Sequence, residues 1–218
     1  MIGEFLVIGL GRFGRAVAVG LHAEGQSVLA VDAREDIVQQ VATQVDAVVS
    51  ADATDERALK DLHPERMCCA VVAIGGESIE SSILCTALLR QMGVPRIVAR
   101  AVTELHARVL LAVGADEVIN PEADVGARLS RRLAQPNVFE QIELGEDADL
   151  AEIAVPEAFV GKSLVDLDIR RRFSISVVAI RRQDRVKANL DGGELLQTGD
   201  VLLAIGSRGA LRRVAARA

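Results

Sequence analysis

One short run near the start of the chain constrains its chemistry most: Gly9-Leu10-Gly11-Arg12-Phe13-Gly14. A GxGxxG spacing between a strand and a helix serves phosphate. The first glycine permits a tight turn, the second lets backbone approach a pyrophosphate, and the third lets helix and strand pack closely. Free N–H groups at the start of the helix, aided by its dipole, then favour an anion. Asp32, with Ala33 after it, ends the next strand pattern, 21 residues beyond Gly11. An acid there accepts hydrogen bonds from ribose hydroxyls and disfavours a 2′-phosphate, so NADP(H) is not expected. The alternative is a turn of this type that holds no ligand, with Asp32 capping the helix from Glu35. Arg12 places a planar, multi-donor cation at the mouth of the loop, which favours a terminal phosphate and hence an adenosine di- or triphosphate over NAD.

Further ligand contacts are expected where other strands end. Asp52-Ala53-Thr54 follows the third strand pattern, Ala73-Ile74-Gly75-Gly76 the fourth, and Arg100 ends the fifth. Open α/β sheets bind ligands along that edge. Gly75 and Gly76 allow close backbone approach to a sugar or base. Asp52 serves equally well as a cap for a helix starting at Asp55.

The elements that must position these residues follow from periodicity. Strand patterns at 5–8, 27–31, 47–50, 69–74, 96–100 and 117–119 alternate with helical patterns at 12–24, 35–42, 55–62, 78–92, 104–113 and 122–134. This predicts an α/β domain: a Rossmann-like, doubly wound, six-stranded parallel sheet. The pattern changes at Gln135-Pro136-Asn137. Beyond it, strands are expected at 140–143, 151–155, 176–181, 185–188 and 201–205, with short helices at 165–171 and 210–216. The division is thus residues 1–136, nucleotide-binding, and 137–218, a smaller α+β domain.

Composition excludes several functions. The 218 residues hold no Trp, no Tyr and five Phe. A tyrosyl acid or nucleophile is impossible, and an aromatic platform for single-stranded nucleic acid is not expected. The net charge of -6 argues against broad polyanion binding. Arginine clusters at 170–172, 181–182 and 208–217 read as solvated faces or as a docking surface for an acidic partner or an anionic ligand. No apolar stretch approaches the roughly 20 residues a bilayer requires, and the N-terminus does not resemble a secretory signal. Cys68, Cys69 and Cys85 lack CxxC spacing and read as buried, reduced thiols of a cytoplasmic protein. His22, His63 and His106 are widely spaced and read as surface or boundary residues. No catalytic motif of the common hydrolases or Walker ATPases occurs, so no catalytic residue is assigned and the chain is not expected to be an enzyme.

In order along the chain stand GLGRFG, Val31-Asp32, Asp52-Ala53-Thr54, Val72-Ala73-Ile74-Gly75, Gly114-Ala115-Asp116 and Asn120-Pro121-Glu122. They are followed by Phe159-Val160-Gly161-Lys162-Ser163-Leu164, Asp166-Leu167, Val177-Val178-Ala179-Ile180 and Leu196-Gln197-Thr198-Gly199-Asp200. This order resembles the KtrA/TrkA-type regulatory subunits of Ktr/Trk potassium-uptake systems, which are built from RCK (regulator of K+ conductance) domains. The resemblance implies an N-terminal lobe that binds ATP or ADP, with NAD(H) also used in the family. It implies dimers assembling into an octameric ring on the cytoplasmic face of a membrane potassium-translocating subunit of the KtrB/TrkH type, which nucleotide exchange then gates. The implied nucleotide site is Gly9, Gly11, Arg12, Phe13, Gly14, Asp32, Ala33, Asp52, Ala53, Thr54, Ala73, Ile74, Gly75 and Arg100. Within it Arg12 faces the γ-phosphate, Asp32 the ribose, Asp52 and Thr54 the adenine side, and Arg100 a phosphate. Glu122 matches an acid near the inter-subunit nucleotide interface where Mg2+, Ca2+ or Na+ can bind; it also reads as a first-turn acid complementing a helix dipole. Cyclic di-AMP in the C-terminal lobe is a further possibility of the family. The loop before Asp52, Ser50-Ala51, departs from the family by lacking a glycine. The competing readings are an NAD-dependent oxidoreductase of the siroheme-precursor type and a nucleotide-sensing transcriptional regulator.

Overall fold

The computed structural model describes residues 3–217, except for the side chain of Glu77. The chain divides into two compact units, Met1–Val125 and Gly126–Ala218.

In the first unit, strands β1 (Glu4–Ile8), β2 (Ser27–Asp32), β3 (Ala47–Ser50), β4 (Cys69–Val72), β5 (Ile97–Arg100) and β6 (Glu117–Ile119) form one sheet in the order β3-β2-β1-β4-β5-β6. Every pairing is parallel. The order reverses between β1 and β4, and that switch point opens a crevice at the carboxyl ends of the strands. The connecting helices are α1 (Arg12–Ala23), α2 (Glu35–Val41), α3 (Glu56–Asp61), α4 (Ile79–Gln91) and α5 (Glu104–Val113). Covered on both faces, β4 is buried at all four positions, which is why its sequence, CAVV, shows no polar alternation. It stops at Val72, so Ala73 and Ile74 belong to the loop that follows rather than to the strand.

Side-chain caps fix the starts of α3 and α5. The Asp55 carboxylate accepts from the amides of Arg57 and Ala58 at the start of α3, and the Thr103 hydroxyl accepts from the His106 amide at the start of α5. The core on one face of the sheet joins Leu6, Leu59, Leu89, Ile97 and Leu110; Val7, Val28, Ala30 and Val41 belong to the core of the other face. A fully buried Leu or Ile contributes about 1.5–3 kcal/mol.

Helix α6 (Pro121–Ala134) buries none of its residues, and the division between the units falls inside it. The boundary expected from sequence, 136/137, lies just past its last residue.

The second unit is an antiparallel sheet of β7 (Val138–Glu143), β8 (Asp149–Ala154), β9 (Ile175–Arg182), β10 (Arg185–Lys187) and β11 (Val201–Gly206), ordered β10-β9-β11-β8-β7. The helix expected at 165–171 is instead two short helices, α7 (Leu164–Leu167) and α8 (Ile169–Phe173). Asp168 separates them in the left-handed region, at φ 42°, a conformation Asp tolerates better than most side chains. With α9 (Arg208–Ala215), α8 covers a core that includes Ile153, Phe159, Phe173, Leu202 and Leu211. The rings of Phe159 and Phe173 stand 5.6 Å apart in a tilted pair. Asp200 is buried, and both its oxygens receive Arg182 donors at 2.8 Å.

Candidate functional site

The turn between β1 and α1 is built as the glycine spacing requires. Gly9 lies at φ +89°, and a Cβ there would meet the main chain of Ala73 and Ile74 at about 3.0 Å. A Cβ on Gly14 would stand 1.9 Å from the carbonyl oxygen of Gly9, so no side chain fits. At Gly11 a Cβ would meet nothing within 4 Å; this is the open face where a phosphate can approach backbone. The turn is clamped from both sides. The Gly9 amide donates to Val31 O at 2.7 Å, and the Ala73 amide donates to Ile8 O at 2.7 Å.

Asp32 completes the clamp. Its Oδ2 accepts the Leu10 amide at 2.7 Å, and its Oδ1 accepts the Arg34 amide at 3.0 Å and Arg34 Nε at 3.3 Å. Burial pushes this carboxyl pKa up. The Arg34 and Leu10 amides and the Arg34 guanidinium outweigh that push and hold it below the ordinary value. Asp32 therefore braces the glycine turn. It does not cap α2, whose N-cap is Arg34, with no side-chain cap bond.

These residues open onto a cleft of about 590 Å3 at the carboxyl ends of the strands. Of the residues expected from sequence, Gly9, Gly11, Asp32, Ala33, Asp52, Ala53, Thr54, Ala73, Ile74, Gly75 and Arg100 line it together. Gly14 lies buried beneath the turn and shapes the loop without lining the cleft, and Arg12, Phe13 and Glu122 also stand outside the lining. Arg12 is exposed at the first position of α1. Asp52 does not cap α3, since Asp55 does; it accepts instead from the Thr54 amide at 2.9 Å and the Thr54 hydroxyl at 2.7 Å. Those two bonds hold its carboxyl pKa below the ordinary value.

Arg100 is 17% exposed, reaches the cleft and is ion-paired to Glu122 in the first turn of α6. Its Nε is buried without a hydrogen-bond partner. Among the described residues, no group of three or more His, Cys, Asp or Glu could hold a metal ion.

The cleft is also lined by Arg34, Gly76, Ser78 and Ser81. Of these, only Gly76 is expected from the sequence; Arg34, Ser78 and Ser81 are added by the fold. The signals for the first two in the sequence are the place of Arg34, two residues after Asp32, and that of Ser78, just after the glycine pair of the β4 loop. His106 departs from expectation in another way: it is buried, with Nδ1 facing the Val102 amide at 3.4 Å, and burial lowers its pKa. Of the thiols, Cys69 and Cys85 are buried as expected, the latter pushed up to about 12 by burial, whereas Cys68 is exposed.

Comparison with known proteins places this architecture. The TrkA-N domain model matches residues 5–121, and the TrkA-C domain model matches residues 150–218. The chain belongs to the TrkA-N/TrkA-C family. It is 39% identical to the Ktr system potassium uptake protein C of Bacillus subtilis (strain 168), over 94% of this chain and 92% of that one. It is 34% identical to the Ktr system potassium uptake protein A of Vibrio alginolyticus, over 93% of this chain and 92% of that one. Among solved structures it shares its fold with the GsuK RCK domain, with a TM-score of 0.69 at 17% identity. That likeness covers 100% of this chain but 48% of the GsuK chain, so this chain spans about half its length.

In this TrkA-family chain the whole cleft falls inside the TrkA-N match, and Glu122 lies one residue beyond it. No helix among the described residues is long and apolar enough to cross a membrane.

Proposed function

We propose that this chain is the nucleotide-sensing regulatory subunit of a potassium-uptake system, binding ATP and ADP in the β1–α1 cleft and biasing a membrane potassium-translocating partner. The observation that carries the reading is the clamped glycine turn of Gly9, Gly11 and Gly14, open to ligand at Gly11 and braced by Asp32, in a chain alike over nearly its whole length to Ktr system proteins. The cleft is lined by backbone, small and aliphatic side chains, two carboxylates and two guanidinium groups. Such a lining holds and orients a nucleotide; among the described residues it presents no His, Cys or Lys to move a proton during a hydride transfer.

Each chain residue then has a distinct task. The amides of the turn and the start of α1 receive the phosphates, Asp32 faces the ribose, Asp52 and Thr54 flank the base, and Arg100 offers its guanidinium to a phosphate. Arg12, exposed at the mouth of the turn, meets the extra charge of a γ-phosphate. A nucleotide shifts a conformational equilibrium only by its differential affinity for the two states, and Arg12 is where ATP and ADP differ. Glu122, held by Arg100 within this chain, gains cation-binding capacity once nucleotide phosphates take over Arg100 and supply further oxygen ligands. NAD(H) fits the same turn and remains in the ligand set of this reading.

Assembly into dimers and an octameric ring is part of the proposal. Leu105 and Leu111 of α5, and Val125, Leu129 and Leu133 in one row of α6, are exposed apolar side chains that suit burial between copies. The test is direct. Calorimetry on the purified chain, run with its oligomer mass, should show ATP and ADP binding. The chain should also restore nucleotide-dependent potassium uptake when paired with its membrane subunit in cells deficient in uptake. A chain that binds no adenine nucleotide and leaves uptake unchanged refutes the proposal.

A further inference from the structure

The ribose end of the cleft carries a charge arrangement that its acid alone does not explain. Asp32 is 8% exposed, and both its oxygens are engaged, Oδ2 by the Leu10 amide and Oδ1 by the amide and Nε of Arg34. A carboxylate has roughly four acceptor sites. Those on Oδ1 are filled, and one remains on Oδ2. A ribose diol, which brings two hydroxyl donors, thus meets one open acceptor rather than a free carboxylate.

Arg34 supplies what Asp32 has lost. Its side chain is 62% exposed and lines the cleft. A guanidinium has five N–H donors in a fixed fork, and Asp32 takes only the one on Nε. Among the described residues nothing else bonds the terminal nitrogens. The Asp32–Arg34 pair is also formally neutral. An unpaired acid rejects a phosphate on the neighbouring ribose oxygen because two anions meet and neither has a proton to donate. Here the anion is already compensated, and a cationic fork stands beside it.

We propose that Arg34 is a specificity-determining residue that admits adenosine ligands carrying a phosphate monoester on the ribose 2′ oxygen, the NADP(H) type of nucleotide. Asp32 acts as a positioning residue, holding Arg34 on one side and the glycine turn on the other. The guanidinium receives the monoester through paired, charge-assisted hydrogen bonds, which a lysine cannot reproduce. This inference rests on the nucleotide-binding reading above and reverses the expectation, from Asp32 alone, that a 2′-phosphate is excluded.

The test compares 5′-AMP with adenosine 2′,5′-bisphosphate by calorimetry, using the full chain at constant ionic strength. The intact protein should bind the bisphosphate at least as tightly as AMP. Arg34→Ala should weaken the bisphosphate by about tenfold or more, the effect of losing charge-assisted bonds, while AMP changes less than about threefold. Arg34→Lys should restore part of the loss. Bisphosphate binding weaker than AMP in the intact protein, or equal losses of both ligands in Arg34→Ala, would overturn the assignment. Failure of AMP, ADP and ATP alike to bind is a different result: it refutes the nucleotide reading itself, and this inference with it.

Discussion

Arg100, at the carboxyl end of β5, is ion-paired to Glu122 in the first turn of α6. The pair is lopsided: Arg100 is 17% exposed and Glu122 64%. Arg100 also lines the cleft, so on the proposed reading a nucleotide phosphate and Glu122 compete for the same guanidinium. Glu122→Gln should therefore tighten ATP binding measured without divalent cation, by about two- to fivefold, the scale of an ion pair with one exposed partner. It should also abolish any gain in affinity on adding Mg2+ or Ca2+. Calorimetric titrations with and without cation check both arms; unchanged ATP affinity without cation would show that the two do not compete.

On the proposed reading, Arg12 is where ATP and ADP are told apart. Arg12→Gln should weaken ATP by about tenfold while changing ADP less than about threefold, since only ATP brings the additional charged group. Equal losses for the two nucleotides in parallel titrations would remove Arg12 from the switch.

Gly14 has no room for a side chain. In Gly14→Ala the new methyl would lie 1.9 Å from the Gly9 carbonyl oxygen, so α1 must move away from the turn. Unfolding in urea should show a loss of about 1–3 kcal/mol, the cost of overpacking. Nucleotide affinity should fall with it, because the amides at the start of α1 leave their positions.

Much of this site was legible because glycine and strand-end positions are backbone requirements, and backbone requirements mark sequence directly. GxGxxG, Asp32 and the Ala73-Ile74-Gly75 loop converge on the cleft for that reason. Charge partners are less legible. Arg34 reads as an ordinary residue before a helix, and only the fold turns it back onto Asp32. The break at Asp168 is hidden because 164–173 contains neither Gly nor Pro and is helix-compatible throughout. His106 was readable in principle: it sits four residues before the buried Leu110, on the same face of α5.

Acid should destabilise the second unit through Asp200. Burial raises its pKa, and the Arg182 guanidinium together with the Gln197 amide more than reverses that, holding it below the ordinary carboxylate value. A depressed carboxyl contributes stability that is present above its unfolded pKa and lost as pH falls through the folded value. Stability should thus hold from neutrality to about pH 5 and decline below about pH 4. Asp200→Asn should lose about 1–3 kcal/mol at neutral pH, because it weakens bonds at a buried position, and should show a shallower decline in acid. Urea unfolding followed by far-ultraviolet circular dichroism at both pH values reads this out.

The bond from the Leu10 amide to Asp32 has a dynamic consequence. Amides in loops usually exchange their hydrogen with solvent quickly, because little holds them closed. Leu10 is buried, and its amide is tied to a carboxylate anchored in the next strand. Its exchange should match the protected rates within β1 even with no nucleotide present. The cradle is then already formed when a ligand arrives, and little conformational freedom remains to be lost on binding.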